Sequence, residues 1–146
     1  LGSESIRGVD AAAGDRITEE NLDQAISFAE AFARQKNTVA AITGAIDLVT
    51  DGTKTFFIRN GHPAMGSVTG TGCQLSALTA AFVSANPERP LEATAAAVCA
   101  MGIAGETAYR RLSSLDGNAS LRNYIIDAIY RLTPEQLENE AVWEIR

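Results

Sequence analysis

Residues 38–58 read TVAAITGAIDLVTDGTKTFFI, and the architecture turns on them. Residues 38–43 are short, apolar on both parities and closed by Gly44, the pattern of a strand covered on both faces in a helix-flanked sheet. Residues 46–50 and 53–58 are rich in β-branched and aromatic side chains. They meet at Asp51-Gly52, a dipeptide that tolerates the positive φ angles of a tight turn, so the pattern predicts a hairpin.

Working upstream, Thr18 is placed to cap a helix, with Glu19 and Glu20 in a first turn that favours acids. Leu22, Ala25, Ile26, Ala29, Phe32 and Ala33 recur at spacings of three and four and share one face, which carries that helix to about Lys36 and Asn37. Downstream, Gly61, Pro63, Gly66, Gly70 and Gly72 make residues 60–72 a loop. Residues 73–85 then read as a helix, and Pro90 opens a longer one to about Leu112. Its many Ala and Gly residues predict close approach to a neighbour, Cys99 reads as core, and Glu106 and Arg110 are spaced as a helix-surface ion pair. A further amphipathic helix carries Leu121, Tyr124, Ile125, Ala128, Ile129 and Leu132 after the polar cap Asn118. Thr133-Pro134-Glu135-Gln136 combines an N-cap, a first-turn proline and a reciprocal capping residue at the start of a short helix.

A helix, a strand, a hairpin and then several helices fit an α/β layer better than a bundle. The strands are few for four or five helices to cover, so the sheet is expected to continue in chain outside residues 1–146. An opening at Leu1 with no initiator methionine agrees with an excised piece, and residues 1–10 have neither the basic nor the apolar region of a signal peptide.

Eighteen acidic against 12 basic residues give a formal charge of −6, which argues against a nucleic-acid partner. Cys73 and Cys99 sit in no metal-binding or disulfide spacing, which favours a reducing, cytoplasmic setting. The longest weakly polar stretch, residues 93–105, is too short to span a membrane.

The chemistry concentrates in Thr69-Gly70-Thr71-Gly72-Cys73, between a loop and an apolar helix. Glycines let the backbone turn and approach a ligand, while a helix start offers unpaired N–H groups and partial positive charge, the requirement for phosphate oxygens. The segment is neither a GxxxxGK[ST] loop nor a GxGxxG fingerprint, and taken alone a plain helix start is the simpler account of it. His62, the one histidine, reads as loop structure. Asp51 is explained by its turn and Asp47 by facing solvent, so neither is taken as a magnesium ligand.

With Val68-Thr69-Gly70-Thr71-Gly72-Cys73-Gln74-Leu75-Ser76-Ala77 preceded by Asn60-Gly61-His62-Pro63 and Ala41-Ile42-Thr43-Gly44, the sequence resembles the hydroxyethylthiazole kinases. Gly8-Val9-Asp10, the Val49-Thr50-Asp51-Gly52 turn and the Ala-rich helix after Pro90 follow the family order, so the resemblance covers nearly the whole chain and weakens after Ser113. It implies a three-layer ribokinase-like fold, with residues 1–146 forming the C-terminal half of the kinase domain, meaning the C-terminal portion of the sheet and its covering helices, and the N-terminal half absent. It implies transfer of the ATP γ-phosphoryl group to the primary alcohol of 4-methyl-5-(2-hydroxyethyl)thiazole in thiamine biosynthesis and salvage, with Mg2+, by a cytoplasmic homotrimer whose thiazole sites lie between subunits. Gly70, Thr71 and Gly72 become the anion hole for the transferring group, Gly70 also borders the thiazole alcohol, and Thr43 contacts ATP. Cys73 stands where most ribokinase-like enzymes carry an aspartate that accepts the alcohol proton, which makes it the catalytic candidate. A helix start favours a thiolate, and in a loose transition state alignment can matter more than basicity.

Ala45 and residues 116–120 depart from the usual family pattern. The family's Asn-x-x-Glu motif, its ATP-contacting arginine and its early thiazole contacts belong to the N-terminal half, so no metal ligand is assigned in this chain, and the fragment alone is expected to be inactive. Two alternatives stay open. One is another ribokinase-like small-molecule kinase or a hydrate dehydratase, against which the cysteine after the second glycine argues; the other is a catalytically silent anion-binding or oligomerisation domain.

Overall fold

The computed structural model describes Ile17 and residues 20–146. Its elements run α1 (Leu22–Lys36), β1 (Ala40–Ile42), β2 (Asp47–Thr50), β3 (Thr55–Ile58), a 3-10 turn (Pro63–Ser67), α2 (Thr71–Ala85), α3 (Pro90–Arg110), α4 (Asn118–Arg131), α5 (Pro134–Glu140) and β4 (Trp143–Ile145). The four strands form one antiparallel sheet in the order β1-β2-β3-β4.

Strand alternation sorts the core into two sides. The cross-strand pair Leu48 and Phe57 faces α1, packing with Ile17, Leu22 and Ile46. The neighbouring pair Val49 and Phe56, with Ile58, faces α3 at Leu91, Ala95, Val98 and Cys99. Helix α3 then packs against α2, α4 and α5, completing a three-layer α/β arrangement.

Several expectations change in detail. The expected Thr18 cap and Glu19 lie outside the described residues; α1 begins at Leu22 after Asn21 and ends at Asn37, in the left-handed region at φ 49. The hairpin has a four-residue connection, residues 51–54, because Thr50 pairs with Thr55 and only Gly52 adopts a positive φ. The Asp51 carboxylate closes it by accepting from the Thr53 and Lys54 amides at 2.8 and 2.9 Å and from the Thr53 hydroxyl at 2.7 Å. The Thr53 hydroxyl first, and then those amides, hold the Asp51 pKa below the usual carboxylate range. A side chain at Gly52 would run into Arg34, which also bonds the Gly52 carbonyl. Strand β4 has no counterpart in the sequence reading. Residue 133 caps α5 as expected, its hydroxyl accepting from the Gln136 amide at 3.2 Å, but the Gln136 side chain bonds Thr107 instead of reaching back.

Residues 38–43 yield only the three-residue β1, and Ala41 is exposed, so the expected covering on both faces fails. Among the described residues β1 has a neighbour on one side only. Both helical layers carry uncovered apolar surface beside that edge. On α1, Glu30 and Arg34 reach Thr55 and Gly52, toward the middle of the sheet. Phe28 and Phe32 lie on the opposite flank, stacked at 6.5 Å and substantially exposed. Across the sheet, α2 is largely apolar yet has no buried residue.

Candidate active site

The sheet brings Thr43, Asp47 and Asn60 to one end, because Ile42 pairs with Leu48 and Asp47 pairs with Ile58. From Asn60 the chain passes through the 3-10 turn to Gly70, so α2 also starts at this end.

Gly70 occupies the N-cap at φ 97, a left-handed conformation that favours glycine, and no side chain caps the helix. The first intrahelical bond runs from the Gln74 amide to the Gly70 carbonyl at 3.0 Å. The amides of Thr71, Gly72 and Cys73 precede it and point out of a 15-residue helix at its positive end. A β-carbon at Gly70 or Gly72 would meet nothing within 4 Å, so both face open space. The Thr71 hydroxyl donates to the Val68 carbonyl at 3.3 Å, and Val68 is buried against Met101, Ala104 and Leu121. Cys73 is an exposed free thiol in the first turn. The helix thus begins two residues before the sequence-based estimate, since Gly70 itself makes the turn.

These features suit an anion: fixed amides, a helix dipole and room for phosphate oxygens. Thr43 is exposed just beyond β1, and what relates it to the α2 start is their shared end of the sheet. The Asp116-Gly117 departure orders itself locally. Asp116 accepts from the Ser113 amide and hydroxyl at 2.7 Å, which lowers its pKa, and Asn118 donates to the Ser67 carbonyl at 2.9 Å instead of capping α4.

Two residues behave differently from expectation. Asp47 turns inward, where it accepts from the Gly44 amide at 2.8 Å. Burial pushes its pKa up to about 6 against the opposing pull of that amide. Its charge, second to burial, helps raise the buried Cys99 thiol to about 11. Glu106 does not pair with Arg110. Its carboxylate accepts from the Gly61 amide at 2.7 Å and the Asn60 side chain at 3.3 Å, while Arg110 pairs with Glu140 at 3.5 Å. His62 is held in the loop as expected: Nδ1 accepts from the Ala64 amide at 3.2 Å and the ring stacks on Tyr109 with centroids 3.5 Å apart.

Among the described residues no group of three or more His, Cys, Asp or Glu side chains is placed to hold a metal ion. No helix among them is long and apolar enough to cross a membrane.

Comparison with known proteins identifies the family. The family model described as the hydroxyethylthiazole kinase family matches residues 2–135. The chain is 51% identical over 144 residues to hydroxyethylthiazole kinase of Clostridium acetobutylicum, covering 99% of this chain and 53% of that protein. It is 41% identical to hydroxyethylthiazole kinase of Desulfotalea psychrophila, over 94% of this chain and 47% of the relative. Among solved structures, hydroxyethylthiazole kinase from Pyrococcus horikoshii OT3 superposes with a TM-score of 0.78 at 38% identity, covering 88% of this chain and 48% of that one. The chain spans about half the length of the relatives it matches. With the three-layer ribokinase-like arrangement, the glycine-rich start of α2 and these matches in agreement, the chain belongs to the hydroxyethylthiazole kinase family.

Proposed function

We propose that the protein carrying this chain transfers the γ-phosphoryl group of ATP to the primary alcohol of 4-methyl-5-(2-hydroxyethyl)thiazole, and that residues 1–146 are the C-terminal, phosphoryl-handling half of its kinase domain. The observation that carries this reading is the uncapped start of α2, where Gly70 and Gly72 border open space and the Cys73 thiol is exposed. The amides of Gly70, Thr71 and Gly72 hold the transferring group and stabilise charge that develops as the bond to ADP breaks. Gly70, at the turn, also borders the alcohol. Cys73 aligns the alcohol and accepts its proton late in the transfer. Thr43 donates to ATP from the end of β1, the position at which open α/β sheets bind ligands.

The other half supplies the magnesium ligands, as the family resemblance implies. It also covers the free edge of β1, the Phe28 and Phe32 flank and the exposed face of α2, surfaces that extend both helical layers past the last strand. The whole protein works in the cytoplasm as a homotrimer with the thiazole bound between subunits, as its family resemblance implies.

The test is ADP formation by the whole protein with ATP and Mg2+. Turnover that depends on the thiazole alcohol, and not on pyridoxine or hydroxymethylpyrimidine, is the expected result. Turnover on either pyridine or pyrimidine alcohol in preference would move the protein to another ribokinase-like activity, and no turnover on any would leave an anion-binding domain. The 146-residue chain by itself should form no ADP; turnover by the mass-verified fragment would contradict the division of labour.

A further inference from the structure

On one stripe of α3, Gly102, Gly105, Glu106 and Tyr109 meet the loop that leads into α2. A β-carbon at Gly102 would lie 2.7 Å from the Asn60 backbone carbonyl carbon and oxygen, so only glycine permits this approach. One turn on, Gly105 makes room for Met65, and Tyr109 stacks on His62. Between them the half-buried Glu106 accepts from the Gly61 amide at 2.7 Å, a short bond assisted by charge, and Gly61 has a φ of 130. The buried Asn60 side chain, also on Glu106, donates to the Glu140 carbonyl at 2.9 Å and accepts from the Val142 amide at 2.7 Å. The loop's far end is fixed by Val68 in the α3–α4 core and by Asn118 on Ser67. Residues 60–68 are therefore held at both ends, and among the described contacts of that hold the charged side chain is Glu106.

Resting on the phosphoryl-transfer reading above, we infer that Glu106 is a positioning residue: by anchoring Gly61 it sets where the amides of Gly70, Thr71 and Gly72 present themselves. Removing it leaves a partly buried N–H without its acceptor and frees the loop at its upstream end. Small displacements of groups that stabilise the transition state cost rate out of proportion to their size. The effect falls on kcat, because the amides act most strongly on the charge that develops during transfer, and less on KM for ATP.

The experiment compares Glu106→Ala, Glu106→Gln and Glu106→Asp in the whole protein, with Leu22→Ala, under α1 on the other side of the sheet, as a stability control. Glu106→Ala should lower kcat about 10-fold or more with KM for ATP changed less than about 2-fold. Glu106→Gln keeps an acceptor and should recover most of the rate, while Leu22→Ala should lower Tm and leave kcat in place. Glu106→Asp, which keeps the charge but shortens the reach, provides a folded variant if alanine does not fold, and should also lower kcat. In 1H–15N spectra the Gly70, Thr71 and Gly72 amide resonances should move in the alanine or aspartate variant. A folded variant with unchanged kcat, or with unmoved amide resonances, overturns the inference. If the wild-type protein has no thiazole kinase activity the functional reading falls, and the amide resonances alone still decide the role of Glu106.

Discussion

Helices α2 and α3 are built from similar residues and end up in opposite situations. Both are rich in alanine with scattered glycine, serine or threonine, with no charge in α2 and three charged residues in α3, yet α3 buries 14 of its 21 residues while α2 buries none of its 15. In α3 the small side chains are used for approach: Asn60 lies against Gly102, Met65 against Gly105, and the strands of the sheet against Ala95 and Val98. In α2 the same composition leaves Gly70 and Gly72 facing open space and an apolar side uncovered. Composition thus cannot distinguish a platform from a working surface; the neighbours do. Helix α3 is the packed base, while α2 keeps its N-terminus and one flank uncovered, the surfaces on which the proposed function relies.

The sharpest contrast is between the two thiols. Cys73 in α2 is exposed and Cys99 in α3 is buried, with its pKa raised to about 11. In the whole protein Cys73 should be alkylated by iodoacetamide at least about 10³-fold faster than Cys99, whose labelling requires opening of the core. Peptide mapping of a labelling time course measures the ratio, and comparable rates would refute the burial of α3.

A pair of glycine substitutions comes next. Gly102→Val should destabilise the fold by about 3 kcal/mol, since its branches would press on the Asn60 backbone. Gly72→Ala should leave stability unchanged or raise it by about 0.5 kcal/mol, yet lower kcat by crowding the phosphate approach. Urea unfolding of each variant beside its kinetics would expose an α2 start that tolerates a methyl in catalysis, which would weaken its assignment as the anion site.

A smaller effect probes how firmly α3 and the β1–β2 turn enclose Asp47. Its folded pKa of about 6 lies above the unfolded value of about 4. Its contribution to stability is therefore full below about pH 4 and is lost as the pH rises through 6. Asp47→Asn, which can still accept from Gly44, should be more stable than wild type at pH 7.5 by on the order of 2 kcal/mol, with the gap closing toward pH 4. Unfolding free energies across that range give the answer; a gap independent of pH would mean that Asp47 is not desolvated.

Much of this contrast was legible in the sequence, and the misses have physical causes. The α/β class, the hairpin and all five helices follow from periodicity, turn residues and prolines at first turns. Strand β4 was missed because Trp143, Glu144 and Ile145 are exposed and owe their extended form to pairing with β3, a partner more than 80 residues away in sequence. The Glu106 contact was missed because Arg110 four residues on offered a sufficient local explanation, while the true partner, the Gly61 amide, leaves no mark in side-chain patterning. Asp47 reads as a solvent residue in the sequence because its surroundings include Cys99 of α3, a helix that begins some 40 residues later. The glycine-rich start of α2 was legible as a helix start because its geometry is local: Gly70 makes the turn by itself.

The central claim is that the start of α2 performs phosphoryl transfer, and the most direct measurement is steady-state kcat and KM for Cys73→Ala and Cys73→Asp in the whole protein, each checked for folding. Cys73→Ala should lower kcat about 10²-fold with KM for ATP little changed, because the anion-hole amides remain. Cys73→Asp should keep substantial activity, since a carboxylate at an exposed helix start can accept the same proton and needs no burial. An active alanine variant beside a folded but dead aspartate variant would contradict the account and leave Cys73 with no part in the transfer.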